Sequence, residues 1–194
     1  MGGTFDPIHI AHLRVAEETR NMLSLDQILF IPAGNPWMKK GNVVASPQQR
    51  LEMVQLAIRS NPHFKISTVE LDRPGNSYTV DTLIALKEQT KDAALYFILG
   101  WDTLEGLQQW KEPSQVRKLC TLVAVPRPGH NRPCTGETEQ ADLRKPDEII
   151  FLETSPLDIR GTELRRRVSE GISIDSLVPV LVEQYIKRNH LYQE

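Results

Sequence analysis

The sequence predicts a doubly wound α/β domain: a mainly parallel sheet with helices on both faces, followed by a small helical C-terminal extension. Three observations carry this. Short runs rich in β-branched residues alternate with amphipathic stretches along the whole chain. Three of those runs are continuously apolar, the pattern of strands covered on both faces. A paired-glycine turn near the start leads into a helical pattern, as in Rossmann-like sheets. The 194 residues fit one domain, with a core over about 1–155 and a helical part over about 156–194.

Strands are expected at Gln27–Pro32, Phe64–Leu71, Ala94–Gly100, Thr121–Val125 and Glu148–Leu152. Helical patterns fill roughly Ile10–Leu23, Pro47–Ser60 and Thr79–Glu88, with two more near Thr162–Glu170 and Pro179–Asn189. Ser46-Pro47 is a strong helix start, with serine as cap and proline at the first helical position. Arg127–Asp147, rich in proline, glycine and charge, reads as an exposed loop. One strand is expected to be missing. Sheets of this kind place a central strand before the glycine turn, yet Gly2-Gly3 follow Met1 directly. Its loss would expose ladder groups on two neighbours. A start assigned several residues late accounts for this better than a chain that has been cut.

Composition narrows the function classes. Hydrophobic and charged fractions of 40% and 25% fit an ordinary soluble domain. A net charge of −2 supplies no broad basic surface, which argues against long nucleic acid. No apolar run approaches the roughly 18 residues of a membrane span, and no signal segment opens the chain. A cytoplasmic protein is expected. Cys120 and Cys134 lack the spacing of a zinc site or a disulfide framework, and Cys120 sits in an apolar run that should bury it.

The stretch Gly2-Gly3-Thr4-Phe5-Asp6-Pro7-Ile8-His9-Ile10-Ala11-His12-Leu13 carries the most chemistry. Paired glycines let a backbone approach a phosphate, and Asp6-Pro7 turns the chain into a helix whose first amides favour anions. His9 and His12, three apart, share one face of that helical start. Two imidazoles so placed can donate hydrogen bonds to a phosphoryl group as charge builds on it. Satisfied structural histidines are the competing reading. A metal pair is another, although no third ligand of suitable spacing is visible.

This run resembles the signature of the nucleotidyltransferase superfamily, which also includes class I aminoacyl-tRNA synthetases. From Gly2 to Tyr192 the chain is similar to bacterial nicotinate-nucleotide adenylyltransferases. The later motifs carrying that likeness are Pro32-Ala33-Gly34-Asn35-Pro36-Trp37-Met38-Lys39, Arg50-Leu51-Glu52-Met53, Ser77-Tyr78-Thr79-Val80-Asp81-Thr82-Leu83, Gly100-Trp101-Asp102, Trp110 and Arg127-Pro128-Gly129. Leu177-Val178-Pro179, Tyr185-Ile186 and Leu191-Tyr192 fit as well. The resemblance implies transfer of AMP from ATP to nicotinate mononucleotide. It implies His9 and His12 as catalytic residues. Gly2, Gly3, Thr4, Phe5, Asp102, Thr162 and Arg165 would hold ATP, and Lys39, Thr79, Trp110 and Arg127 the mononucleotide. Mg²⁺ would arrive with ATP, with no dedicated protein site. Oligomeric state stays open.

The residue types suit these roles, each beside a plainer alternative. Lys39, after a strand end, can meet phosphate as a point charge or be a solvated lysine beside Lys40. Thr79 opens a helix where hydroxyls and amides suit a carboxylate, or where they merely cap. Trp110 can stack on a pyridinium ring or pack on the surface. Asp102 lies near the nucleotide sugar in the family reading, or is a helix N-terminal acid. Ile159-Arg160-Gly161-Thr162-Glu163-Leu164-Arg165 stands where the family usually has ISSTxIR, so Arg160 and Gly161 replace two serines and any phosphate contacts must come from amides or a guanidinium. Arg166 and Arg167 read as a solvated face. Ala11 stands where glycine is usual. The rival readings are a preference for nicotinamide mononucleotide, and a nucleotide sensor without turnover.

Overall fold

The computed structural model describes residues 1–36, 43–131 and 149–193. In chain order the elements are β1 (Gly2–Gly3), α1 (Ile10–Met22), β2 (Ile28–Pro32), α2 (Pro47–Ile58), β3 (Phe64–Ile66), α3 (Thr79–Gln89), β4 (Tyr96–Gly100), α4 (Trp101–Glu105), α5 (Pro113–Leu119), β5 (Thr121–Val125), β6 (Ile149–Phe151), α6 (Gly161–Ser169) and α7 (Val180–Arg188), with a 3₁₀ turn at Leu107–Gln109. All strand pairs are parallel. They form two three-stranded sheets, ordered β1-β2-β3 and β4-β5-β6.

The two sheets meet where β1 lies beside β4: a Cβ built on Gly2 would touch the Phe97 ring at 3.8 Å. The strand order therefore runs 3-2-1-4-5-6 and reverses between β1 and β4, the point where ligands bind in open α/β sheets. The expectation of a missing first strand is corrected in part: Gly2–Gly3 form a two-residue strand that, among the described residues, pairs with β2 alone. Gly2 and Gly3 pair with Ile31 and Pro32. The Met1 ammonium donates to Leu29 O at 2.9 Å, Met1 O accepts from Ile31 N at 3.0 Å, and Gly3 O accepts from Ala33 N at 2.9 Å. The backbone of three residues thus pairs the edge of β2 from Leu29 O to Ala33 N. Among the described residues no ladder joins β1 to β4, so the sheet is divided at that seam.

The start of α2 forms as its sequence dictates. Ser46 Oγ accepts from Gln49 N, Gln49 Oε1 accepts from Ser46 N at 2.8 Å, and Pro47 takes the first helical position. Such a cap is worth about 1 kcal/mol. Arg50, on the first turn of the same helix, is 1% exposed. It donates through Nη1 to Thr4 O (2.8 Å), through Nη2 to Gly34 O (3.3 Å) and through Nε to Ala45 O (3.3 Å). Burial lowers its pKa from the ordinary value, opposed chiefly by Asp6.

Two apolar clusters fill the interior. The larger joins Phe30, Met53, Val123 and Ile150 to Leu164, Val182 and Ile186, so α6 and α7 pack on the same core as the strands. The smaller packs Val80 and Leu83 of α3 against Trp101, Leu104, Leu107 and Val116. Two expectations need correction. The strand expected over Phe64–Leu71 ends at Ile66, because Thr68 O accepts from Leu71 N and Asp72 N and turns the chain. The stretch after β4 is helical, as α4, the 3₁₀ turn and α5, where no helical pattern was read beyond Asp102 as a possible helix N-terminal acid. Each piece is too short for a 3.6-residue period to stand out.

Candidate functional site

The chain after β1 is shaped by packing. Phe5 is 2% exposed and stands at φ 53°, a left-handed conformation. Its ring meets His12 edge-on (5.1 Å, 83°) and packs near Phe30 (5.9 Å). A Cβ on Gly3 would lie 2.8 Å from that ring, so glycine makes the approach possible. The Phe5 side chain is therefore a wall under His12.

His9 caps α1 and His12 stands at the third helical position. Their rings stack at 3.7 Å between centroids, with 26° between planes. The backbone N–H of His9 donates to His12 Nδ1 at 3.2 Å. With Nδ1 accepting, a neutral His12 carries its proton on Nε2 and is a donor there. His9 is 6% exposed. Ala11 sits between them on the first turn, half-buried. The next α1 amide, Ile10 N, donates to Leu177 O at 3.0 Å.

Asp6 joins this loop to three other segments. Its carboxylate accepts from Val44 N (2.9 Å), Ala45 N (3.1 Å) and the Tyr192 hydroxyl (2.7 Å). Its backbone oxygen accepts from Arg165 Nη1 at 2.8 Å, while that nitrogen lies 3.5 Å from the carboxylate. The start of α6 approaches as closely: a Cβ on Gly161 would sit 2.9 Å from Asp6 O. Glycine at this position is thus a packing requirement of α6 against the loop. Thr162 is exposed on the first turn of α6, and Arg160 reaches past Gly129.

On the other side of the seam, Gly100 ends β4 and Asp102 lies on the first turn of α4, paired with Arg127. Arg127 opens a turn closed by His130 N to Arg127 O, with Gly129 at φ 82°, as a type II turn requires. Trp110 is half-buried and meets Phe97 edge-on (5.8 Å, 89°), the same ring that touches Gly2. Its Nε1 is enclosed and has no hydrogen-bond partner among the described residues. Lys111 next to it binds Asp81 of α3 at 2.9 Å and lies over the Tyr78 ring at 5.2 Å, which brings Trp110 toward the start of α3 at Thr79. Ser77 caps nothing on α3. Its hydroxyl accepts from Gly34 N (3.0 Å) and Asn35 N (3.2 Å), docking the loop after β2.

One loop, two helix starts and an indole thus surround the switch point. A cytidylyltransferase-like family model matches residues 1–167. A protein of Roseiflexus sp. named "probable nicotinate-nucleotide adenylyltransferase" is 44% identical over 195 residues, covering 100% of this chain and 96% of its own. One of the same name from Dehalococcoides mccartyi strain BAV1 is 42% identical over 196 residues, covering 99% and 95%. The chain belongs to the nicotinate-nucleotide adenylyltransferase family. The nicotinic acid mononucleotide adenylyltransferase of Plasmodium falciparum, solved in complex with NaAD, has the same fold, with a TM-score of 0.76 at 21% identity over 98% of this chain and 94% of that one.

Within this adenylyltransferase fold, the expected site residues fall into two groups. Gly2, Gly3, Thr4, Phe5, His9, His12, Thr162 and Arg165 gather around the loop after β1. Thr79, Asp102, Trp110 and Arg127 lie beyond Phe97, around α3, the end of β4 and the turn after β5. Lys39 and Cys134 lie outside the described residues, as does most of the expected Arg127–Asp147 loop. Arg166 and Arg167 pair with Glu163, and Arg166 also with Glu170, on the outer face of α6. Sequence reasoning gave Asp6 only a turn with Pro7, and gave Arg50 and Tyr192 no role. All three lay inside quoted motifs, but their importance comes from burial and long-range partners that spacing does not encode.

Proposed function

We propose that this chain transfers the AMP moiety of ATP to nicotinate mononucleotide, releasing pyrophosphate, as a cytoplasmic step of NAD biosynthesis. The observation that carries this is the stacked His9–His12 pair at the start of α1, set against the start of α6 at the switch point. The names of full-length relatives at 42–44% identity support the same substrates. So do structures of a fold relative complexed with NaAD and with APC.

A phosphate oxygen of the mononucleotide attacks the α-phosphorus of ATP in line. The bond from that phosphorus to the bridging oxygen breaks, and pyrophosphate leaves with the electron pair. His12, through Nε2–H, and His9 donate to the α-phosphate as charge builds there. Arg165 and the amides at the start of α6, with Mg²⁺ brought by ATP, neutralise the departing pyrophosphate. Thr79 and the α3 amides receive the pyridine carboxylate, with Trp110 against the ring. Direct transfer fits the one cysteine described: burial pushes the Cys120 thiol up to about 12, too high for a nucleophile at neutral pH.

The test is pyrophosphate release from MgATP with nicotinate mononucleotide, nicotinamide mononucleotide or neither. Release that requires the mononucleotide, with higher kcat/KM for the acid, is expected. Equal kcat/KM for acid and amide would remove the carboxylate assignment. No release with either would leave a nucleotide-binding protein without turnover.

A further inference from the structure

We propose that Lys111 and Asp81 form a specificity-determining pair for the mononucleotide, an inference that rests on the carboxylate placement above. Lys111 offsets the charge of Asp81 at the start of α3, and so lets that helix end favour the acid over the amide. The start of α3 is left open in a way that of α2 is not. Ser46 and Gln49 cap α2 reciprocally, whereas Tyr78, the N-cap of α3, makes no side-chain bond to the first amides. Those amides present the positive end of the helix, which suits an anion. Asp81, two positions after Thr79, puts a fixed negative charge on the same first turn. Among the described residues its carboxylate takes hydrogen bonds from Lys111 Nζ alone, at 2.9 Å to Oδ1 and 3.2 Å to Oδ2.

Lys111 is held by more than that pair. Its ammonium lies over the Tyr78 ring at 5.2 Å, and Trp110 directly precedes it in the chain. The cation therefore sits at the N-cap residue of α3, one position along from the indole. Its hydrogen bond to Asp81 raises the Lys111 pKa above the ordinary value, so it stays charged at neutral pH. As a stabilising contact an exposed pair of this kind is worth little, which leaves its role in the field it sets. An anion arriving at Thr79 meets the Asp81 carboxylate as a like charge, while an uncharged amide does not. Paired with Lys111, that carboxylate adds little net charge. Alone, it would repel the acid, or turn inward and occupy the amides the acid needs. Both outcomes cost the acid more than the amide.

Calorimetric binding of nicotinate mononucleotide and nicotinamide mononucleotide to the full chain tests this without turnover. The readout is the ratio of the two affinities. Damage to folding or to ring contact weakens both ligands and leaves the ratio, whereas a change of charge moves it. Lys111→Met should lower the acid-to-amide ratio about fivefold, the scale of unit charges several Å apart near water. Asp81→Asn should raise it by a similar factor, because the ammonium is then uncompensated. Lys111→Met combined with Asp81→Asn should return the ratio to within about twofold of wild type, and Lys111→Arg should keep it. Both single shifts should shrink at about 1 M salt, where the screening length is ~3 Å. Lys187→Met removes an equal charge from an ion pair on α7, which packs in the larger cluster, and should leave the ratio unchanged. An acid preference that Lys111→Met and Asp81→Asn both retain, or both shift in the same direction, overturns the inference and leaves the reaction standing. Equal affinities in the wild type overturn the carboxylate placement and the inference together.

Discussion

The imidazoles of His9 and His12 lie face to face, with centroids 3.7 Å apart, while the His9 backbone N–H fixes the Nδ1 side of the His12 ring. The second ring is thereby presented by the first residue's main chain as well as by its side chain. Losing one transition-state donor costs about 2.7–4 kcal/mol of barrier. His12→Ala should therefore lower kcat by a hundredfold or more, with a loss of about 1 kcal/mol in stability from the severed cap bond. Steady-state kinetics and thermal unfolding on the same preparation check both. A variant of near wild-type kcat would remove His12 from the mechanism.

Gly161→Ala places a methyl 2.9 Å from Asp6 O, with Arg165 Nη1 at 3.6 Å. The start of α6 must then move off the loop, and overpacking of this kind typically costs about 1–3 kcal/mol. The variant should melt at lower temperature and bind ATP more weakly, although alanine is the better helix former. A melting temperature at or above wild type would show that α6 yields without cost.

Trp110→Ala should raise KM for the mononucleotide while Trp110→Phe retains most of the affinity, since ring contact adds about 0.5–1.5 kcal/mol beyond buried area. Part of the alanine effect will be structural, because Trp110 also packs on Phe97. Titrating mononucleotide against tryptophan fluorescence separates binding from unfolding. An unchanged KM in both variants would place the pyridine ring elsewhere.

Tyr185 donates to Glu52 Oε2 at 2.7 Å and ties α7 to α2. Hydrogen bonds from Gln48 and Tyr185 hold the Glu52 carboxyl below its ordinary 4.5. A depressed carboxylate pKa adds stability above the unfolded value, and that stability is lost as pH falls through the folded one. Tyr185→Phe should cost about 1 kcal/mol at neutral pH, small because the carboxylate is half-exposed. The difference in melting temperature from wild type should shrink below pH 4.5. A gap that is constant with pH would assign the loss to packing.

Strands β2 to β6 and five of the helices were legible because their signals are local. Apolar runs fixed β2, β4 and β5 to within two residues, and Ser46-Pro47 fixed the start of α2. Gly2-Gly3 could not be recognised as a strand, since two glycines carry no hydrophobic period. Their strand character comes from β2, whose free edge takes up the backbone of Met1 to Gly3. In the site, spacing in sequence was enough to place His9 beside His12. Nothing local showed that Ser77 is spent on the loop after β2, or that Asp6 meets a hydroxyl from the far part of the chain.

Arg50 ties the loop after β1, the loop after β2 and the lead into α2 to a single planar group with 1% exposure. A guanidinium cannot flex to follow one carbonyl without deserting another, and a deserted donor in a dry interior costs about 1–3 kcal/mol, more when charged. The three segments therefore rise and fall as a unit, and lysine, with one point charge, cannot take over the task. Precision in the loop before the His9–His12 pair is in this way inherited from beneath it.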